Sequence, residues 1–280
     1  MRRPILATLP LILALAACAP GSPASAPQGG QSSLGADAPV QVFAAASLGA
    51  VGDELIAAYR QENPQADITA TYAGSSQLVT QMTEGATPDL LMTADNTTMT
   101  QAIEKVEELA GVTPETIATN ALVLATAPGN PAAIDSVDDL AASGVMTAIC
   151  AQEVPCGRLA HQELTRQGIT PATSTEEANV SAVATKVATG QVDAGFIYST
   201  DATALSATED ITVIDLPELE RNAYPLALTT TGQAKASAQD FANWLATSEK
   251  AAQILTAYGD RKSTRLNSSH TLASRMPSSA

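Results

Sequence analysis

A regular alternation of strand-like and helix-like segments is the feature that most constrains the fold of this chain. Strand-like patterns occupy 40–45, 67–72 and 88–92, and apolar residues at helical spacing follow each of them. Chains with this order form a mostly parallel sheet with helices on both faces, because each helix carries the chain back to start the next parallel strand. The sequence therefore predicts an α/β fold.

A break at 128–131, with the sequence Pro-Gly-Asn-Pro, divides the alternation into two series. One further strand is predicted before the break, at 121–127. After it, the patterns predict strands at 145–150 and 192–198 and helices at 157–167 and 179–189. The chain is predicted to return to the first series near Tyr224. We therefore predict two lobes, with 40–125 plus 224–259 in lobe 1 and 126–223 in lobe 2.

The beginning of the chain, 1–17, has the features of an export signal. A pair of arginines precedes an apolar run at 5–17, which is shorter than the roughly 20 residues that a permanent membrane helix needs. The run ends in Leu-Ala-Ala-Cys, which resembles a bacterial lipobox and predicts a lipid on Cys18; an ordinary soluble secretory signal is the alternative. The stretch 18–39 is rich in Pro, Gly, Ser and Ala and is predicted to be a flexible tether. We expect an exported protein, lipid-anchored at the outer face of the cell membrane or in the periplasm.

The end of the chain, 260–280, differs in character from the rest. Its first part, 261–270, is basic, polar and aperiodic, and this pattern predicts disorder. The same segment resembles the translation of a sequencing adapter, so we expect a non-native tail from about Asp260. A genuine basic tail is the alternative.

The groups that catalysis requires are sparse. His161 is the one histidine outside this tail, and we expect it to be solvated or hydrogen-bonded rather than catalytic. The sequence contains no Gly-x-Ser-x-Gly elbow, no cluster at metal-ligand spacing and no glycine loop that could cradle a phosphate. We predict a protein that is not an enzyme and has neither a cation site nor a cofactor. Its formal net charge of −15 argues against nucleic acid as a partner.

Two cysteines, Cys150 and Cys156, remain besides Cys18. An export signal implies an oxidising compartment, so a disulfide between them is the first interpretation. A redox-active thiol pair is the alternative, although the spacing is not Cys-x-x-Cys.

Serines stand where predicted strands give way to predicted helices. Ser47 follows the first strand directly, and Ser75 and Ser76 follow the second. A helix N-terminus has unpaired N–H groups and a partial positive charge, so it can bind an anion without Lys or Arg, and a serine adds a hydroxyl donor. Each serine could instead simply cap its helix. Two serines at equivalent junctions favour an anion site.

Several motifs resemble those of the substrate-binding components of molybdate ABC transporters. These motifs are Val-Phe-Ala-Ala-Ala-Ser-Leu at 42–48, Ala-Gly-Ser-Ser at 73–76 and Pro-Asp-Leu at 88–90, followed by the segments 154–157, 178–180 and 195–202 in the same order and spacing. The resemblance covers about 40–259. It implies the periplasmic-binding-protein fold of type II, in which each lobe is a mostly parallel sheet flanked by helices and the ligand lies in the cleft.

The resemblance also implies a set of ligand-binding residues. By position, Ser47 and Ser75 would donate through hydroxyl and backbone groups, Cys156 and Val180 through backbone N–H groups, and Tyr198 through its phenol. The ligand would be molybdate or tungstate, held as an oxyanion and not as a metal cation. A pocket of donors favours a fully deprotonated ion over phosphate, whose proton needs an acceptor. The implied partners are an ABC permease and its ATPase, and we expect a monomer.

Two positions depart from the family pattern. The family often has a third serine where Gly74 stands and Ala where Cys156 stands. If Cys156 acts through its backbone, its sulfur is free to bond Cys150 and to hold the ligand loop in place. Three alternatives remain open at this point: a sulfate, thiosulfate or other oxyanion binder, a secreted serine hydrolase that uses Ser47 or Ser75, and a surface adhesion module.

Overall fold

The structure, a computed structural model, describes residues 39–258 and 261–262 of the 280-residue chain. The predicted signal peptide, the lipidation site Cys18 and the predicted tether up to 38 lie outside the described residues, as does the predicted tail apart from Arg261 and Lys262. Among the helices of the described part, none has the length and apolar character needed to cross a membrane.

Eleven strands are present in the described part of the chain. In chain order they are β1 Val40–Ala45, β2 Ile68–Ala73, β3 Leu90–Met92, β4 Glu115–Asn120, β5 Leu122–Thr126, β6 Met146–Cys150, β7 Thr173–Glu177, β8 Ala194–Tyr198, β9 Val213–Asp215, β10 Asn222–Leu228 and β11 Arg261–Lys262. They form two sheets. The first sheet has the order β11-β4-β10-β3-β1-β2, and the second has the order β7-β6-β8-β5-β9.

Helices connect the strands. They are α1 Gly49–Glu62, α2 Ser75–Thr83, α3 Asn96–Lys105, α4 Pro155–Gln167, α5 Val180–Ala188, α6 Ser199–Ser206, α7 Thr230–Gln233, α8 Ala236–Thr247 and α9 Glu249–Ala257, with short 3-10 helices at Ala46–Leu48, Glu107–Leu109 and Val137–Ala141. Their bounds follow from local chemistry. In α4, Pro155 occupies the first turn, and Gly168 ends the helix in the left-handed conformation at φ 71°.

The core on one face of the first sheet contains an aromatic cluster. The ring of Tyr59 lies 5.0 Å from that of Phe241 and 5.4 Å from that of Trp244. The Trp244 indole N–H donates to the Glu62 carboxylate at 2.9 Å, so its polar atom is satisfied. These contacts join α1 to α8.

The predicted fold class is confirmed, with one difference in the sheets. We expected mostly parallel sheets, and both are mixed: β1, β2 and β3 run parallel, as do β6, β7 and β8, whereas β5 and β10 run antiparallel to their neighbours. A strand that enters from the other sheet has no helical crossover to impose the parallel direction.

The chain leaves the first sheet earlier than the sequence predicts. Strand β4 ends at Asn120 in the first sheet, and β5 pairs with β8 and β9 in the second, so the crossing lies at Ala121. The break at 128–131 follows β5 and is a turn next to the second sheet, with Asn130 at φ 46°. Residues 122–125, which we assigned to lobe 1, therefore lie in the second sheet. The return to the first sheet begins at Asn222, close to the predicted position.

The predicted tail also differs at its start. Arg261 and Lys262 pair with Thr119 and Ala118 as strand β11, so the prediction of disorder is wrong for these two residues. The sequence analysis also did not predict strand β7. Its mostly exposed sequence, Thr-Ser-Thr-Glu-Glu, lies at the edge of the second sheet.

Candidate functional site

A small cavity with an accessible volume of about 10 Å³ lies where the two sheets meet. Its twelve lining residues all follow or end one of the six parallel strands: Ala45, Ala46, Ser47, Gly74, Ser75, Ala94, Val154, Pro155, Cys156, Asn179, Val180 and Tyr198. Ligands of α/β sheets bind at the carboxyl ends of parallel strands. Pockets that hold drug-sized molecules have volumes of roughly 300–1,000 Å³, so this cavity can hold only a much smaller ligand.

All five residues predicted to bind the ligand line this one cavity: Ser47, Ser75, Cys156, Val180 and Tyr198. Along the chain they extend from position 47 to position 198, and they follow or end strands of both sheets. A wider groove, open to solvent and lined by residues such as Ser76, Lys105 and Arg158, contains none of the five.

The cavity collects the N-termini of several helices. Ser75 and Val180 begin α2 and α5, Cys156 lies in the first turn of α4, and Tyr198 precedes α6. First-turn N–H groups have no partner within their own helix, and each N-terminus carries a partial positive charge. The cavity therefore receives the positive ends of several helix dipoles without a cationic side chain among its described lining residues.

At two of these helix ends, no side-chain cap bonds the N–H group that is predicted to bind the ligand. Val154, at the N-cap of α4, makes no side-chain cap hydrogen bond. Asn179 caps α5 by accepting from the Ala182 N–H at 3.0 Å, and this bond does not involve the Val180 N–H. These arrangements leave the N–H groups of Cys156 and Val180 without a competing side-chain cap.

The side-chain oxygen of each serine already accepts one hydrogen bond. The Ser47 Oγ accepts from the Tyr224 hydroxyl at 2.9 Å, and the Ser75 Oγ accepts from the Ala94 N–H at 3.0 Å. Both side chains are buried. The N-cap positions here are Ala45, Leu48 and Gly74, so neither serine is the N-cap residue that the capping alternative requires. Each hydroxyl therefore keeps one proton to donate elsewhere.

The Tyr198 hydroxyl is buried and makes no hydrogen bond with any described residue. The residue is only 1% exposed, and its ring packs edge-on against Tyr224. Burial raises the pKa of Tyr198 well above its ordinary value, and nearby Tyr224 and Asp95 act in the same direction. The phenol thus remains a donor at neutral pH. A buried unpaired hydroxyl is costly, which points to a ligand as its partner.

No ionisable Lys, Arg, His, Asp or Glu occurs among the described residues that line the cavity. The nearby Arg158 is already paired with Asp95 and donates to the Thr98 hydroxyl at 2.8 Å. Within the described ranges, no group of three or more His, Cys, Asp and Glu residues could hold a metal ion. The site is therefore built from neutral donors and dipoles.

The predicted disulfide between Cys150 and Cys156 is present, with the two Cα atoms 5.7 Å apart. It links the end of β6 to the first turn of α4 and so fixes the loop that carries the Cys156 N–H. Gly157 supports the same loop, because a Cβ at this position would lie 1.9 Å from the Ala151 carbonyl oxygen. His161, further along α4, has a buried Nε2 without a partner among the described residues and lies away from the cavity, which differs from the satisfied histidine we expected.

Sequence reasoning missed the residues behind Ser47. Asn120 is fully buried, and its side-chain amide donates to the hydroxyls of Thr200 and Tyr224, each at 2.9 Å. The three residues are up to 104 positions apart, so no local pattern links them. Only their tertiary contacts reveal the group.

Comparison with known proteins gives a consistent family. A model described as bacterial extracellular solute-binding protein matches residues 40–261. The molybdate-binding protein ModA of Mycobacterium tuberculosis is 37% identical over 233 residues, which are 82% of this chain and 87% of that protein. The molybdate-binding protein ModA of Haemophilus influenzae is 28% identical over 81% of this chain and 91% of its own length.

Solved structures share the fold. The periplasmic molybdate-binding protein of Azotobacter vinelandii superposes with a TM-score of 0.70 at 22% identity, covering 79% of this chain and 98% of that one. The sulfate-binding protein SubI of Mycobacterium tuberculosis gives a TM-score of 0.69 at 15% identity, covering 81% and 88%. At these identities the likeness establishes the fold alone.

Proposed function

Because the chain belongs to the bacterial extracellular solute-binding proteins, we propose that it captures molybdate or tungstate and delivers it to an ABC permease driven by an ATPase. The oxyanion is its ligand and not a cofactor, and the protein acts by binding rather than by catalysis. One observation carries the proposal: the Tyr198 hydroxyl, which has no partner among the described residues, lines the same cavity as two serine hydroxyls that each already accept a hydrogen bond.

The donors of the cavity suit a tetrahedral dianion. Three hydroxyls and the N–H groups of Cys156 and Val180 approach from both sheets, so they can surround an ion rather than contact one side of it. A hydrogen bond to a charged group contributes roughly 1.5–3 kcal/mol, so several of them can replace a full counter-charge. The helix N-termini add fixed dipoles in the same direction.

The lack of carboxylate and imidazole acceptors among the described residues of the cavity supports a fully deprotonated ligand. Hydrogen phosphate carries a proton that needs an acceptor, and among the described residues the cavity offers no carboxylate or imidazole to take it. Sulfate or thiosulfate is the second candidate, because these ions are also deprotonated and the sulfate-binding protein SubI has the same fold. A serine hydrolase gains no support, since the two serine hydroxyls contact Tyr224 and Ala94 instead of a general base.

Contacts between the two sheets support capture by closure of two lobes. We place 40–120 and 222–258 in the first lobe and 122–215 in the second, which shifts our predicted boundary to Ala121. Ser76 Oγ donates to the Glu153 carbonyl at 3.0 Å across the lobes. Gly74 lies so close to the second lobe that a Cβ there would be 2.6 Å from the Ala178 carbonyl oxygen. The third serine that the family often has at this position would not fit this closed arrangement.

The proposal includes export and a lipid anchor. The sequence supports a signal peptide at 1–17, a diacylglycerol on Cys18 and a tether that lets the body reach its permease as a monomer. Mass spectrometry of the membrane fraction tests this part: the expected N-terminal peptide begins at lipidated Cys18. A mature protein that is found unlipidated in the medium would support an ordinary secretory signal instead.

Thermal unfolding of the mature protein with an oxyanion panel tests the ligand. A ligand that binds only the folded state raises stability with the logarithm of its concentration over its dissociation constant. We expect molybdate and tungstate to raise the unfolding temperature most, sulfate less and phosphate least. A larger shift with sulfate would favour the second candidate.

A further inference from the structure

We propose that Asn120 and Tyr224, which are not among the described residues that line the cavity, orient the Ser47 hydroxyl so that its proton is directed to the ligand. In this way they make the site discriminate against oxyanions that carry a proton. The inference rests on the proposed oxyanion binding and adds two positioning residues to it.

The orientation of the Asn120 amide is set by its neighbours. The backbone N–H of Ala121 donates to the Asn120 Oδ1 at 2.8 Å, and the Ser199 hydroxyl donates to the same oxygen. A backbone N–H can only donate, so Oδ1 must be the acceptor and Nδ2 must be the donor. The donor–acceptor direction of the whole network is therefore fixed by the Ala121 N–H, which cannot act as an acceptor.

The Asn120 Nδ2 donates hydrogen bonds to two hydroxyls. It donates to the Tyr224 Oη and to the Thr200 Oγ1, each at 2.9 Å. Tyr224 thus accepts from Asn120 and donates its own proton to the Ser47 Oγ at 2.9 Å. Thr200 donates to the backbone carbonyl of Ser47 at 3.4 Å and so holds the same residue.

Ser47 is the end of this chain of donors. A serine hydroxyl that is free to rotate can donate to one ligand and accept from another. Here Tyr224 donates to one lone pair of the Ser47 oxygen, so the Ser47 proton is not taken up by Tyr224 and is available to a ligand in the cavity. A fully deprotonated oxyanion accepts this proton, whereas a protonated oxyanion that donated its hydrogen to Ser47 would leave the Ser47 proton without that partner.

The two serines differ in which group donates to the hydroxyl oxygen. At Ser75 the oxygen is occupied by the backbone N–H of Ala94, which no side-chain substitution removes. At Ser47 the occupying donor is a tyrosine hydroxyl, and it can be removed without changing the ring. Discrimination at Ser47 is therefore open to a direct test.

The test compares Tyr224→Phe with the unchanged protein and with Tyr72→Phe. Tyr72 is a matched control, because its hydroxyl also donates to another side chain, Asp53 at 3.0 Å, and lies outside the cavity lining. Molybdate affinity is measured by calorimetry and phosphate affinity by competition. For Tyr224→Phe we expect the ratio of phosphate to molybdate dissociation constants to fall roughly tenfold, the effect of one hydrogen bond, while Tyr72→Phe keeps the original ratio.

A merely structural role for Tyr224 predicts a different result. Loss of packing would weaken the binding of both ligands alike and leave the ratio unchanged. If the ratio is unchanged and the variant still binds molybdate, this inference is wrong, but the proposed function stands. If Tyr224→Phe does not fold, Asn120→Asp takes its place: an aspartate would accept from Tyr224, release the Ser47 oxygen and lower the same ratio. Absence of oxyanion binding by the unchanged protein would instead overturn the proposed function and this inference with it.

Discussion

The guanidinium of Arg158 forms an ion pair with the carboxylate of Asp95, with Nε 3.1 Å from Oδ2. Arg158 belongs to α4 beside the second sheet, whereas Asp95 caps α3 beside the first by accepting from the Thr98 N–H at 2.7 Å. The pair thus joins the two proposed lobes next to the ligand cavity, and it can exist only while they are together.

Replacing Arg158 by Met should weaken ligand binding through lobe closure. The side chains of the pair are 27% and 17% exposed, so their contribution is modest, and we expect the molybdate dissociation constant to rise about threefold to tenfold with faster release. Stopped-flow release kinetics and calorimetry measure this. Arg166→Met is the control, because Arg166 pairs with Glu163 inside α4 at 2.7 Å. Equal effects of the two substitutions would contradict a role in closure.

Replacing Tyr198 by Phe should change stability and affinity in opposite directions. Its hydroxyl is buried without a partner among the described residues, so its removal should leave the ligand-free protein as stable as before or slightly more stable. Binding loses one donor, and molybdate affinity should fall at least tenfold. Chemical unfolding without ligand and calorimetry with it measure the two effects. Loss of stability with unchanged affinity would contradict a ligand contact.

The Cys150–Cys156 disulfide should stabilise both the fold and the ligand loop. Thiol titration of the denatured, unreduced protein should find neither cysteine free. Replacing both cysteines by Ala should cost about 2 kcal/mol, the value expected from the entropy of a short loop. Because the bond fixes the loop that carries the Cys156 N–H, molybdate affinity should also fall. Wild-type affinity in the double variant would indicate that packing around Gly157 alone positions this loop.

Stability should decrease with rising pH because of Asp201. Burial raises the pKa of this partly buried carboxyl to about 7, although the N–H groups of Tyr198 and Asp201 itself act in the opposite direction. In the unfolded chain an Asp ionises near about 3.9. The folded state thus keeps the proton longer, and this contribution to the free energy of unfolding falls between about pH 4 and pH 7.

Asp201→Asn tests this effect while keeping an oxygen acceptor for the Tyr198 N–H, which Asp201 binds at 3.2 Å. Urea unfolding from pH 4 to pH 8 should show that the variant gains stability relative to the unchanged protein as the pH rises. A difference between the two proteins that does not vary with pH would show that Asp201 does not titrate in this range.

The site was more predictable from sequence than the route of the chain. Ser47 and Ser75 follow buried strands directly, and the ends of parallel strands meet at one edge of a sheet, so local patterns placed them. Strand β5 is buried at every position, and such a pattern does not encode which sheet it joins. The edge strand β7 has too few buried apolar residues to be recognised. The Asn120 network depends on contacts between residues that are distant in the chain. The spacing of apolar residues in the sequence does not predict such contacts.

Calorimetric titration of the mature protein with molybdate tests the central claim most directly. We predict a single saturable site per chain, competition by tungstate for the same site, weaker competition by sulfate and little by phosphate. Failure of both molybdate and tungstate to bind would contradict the account.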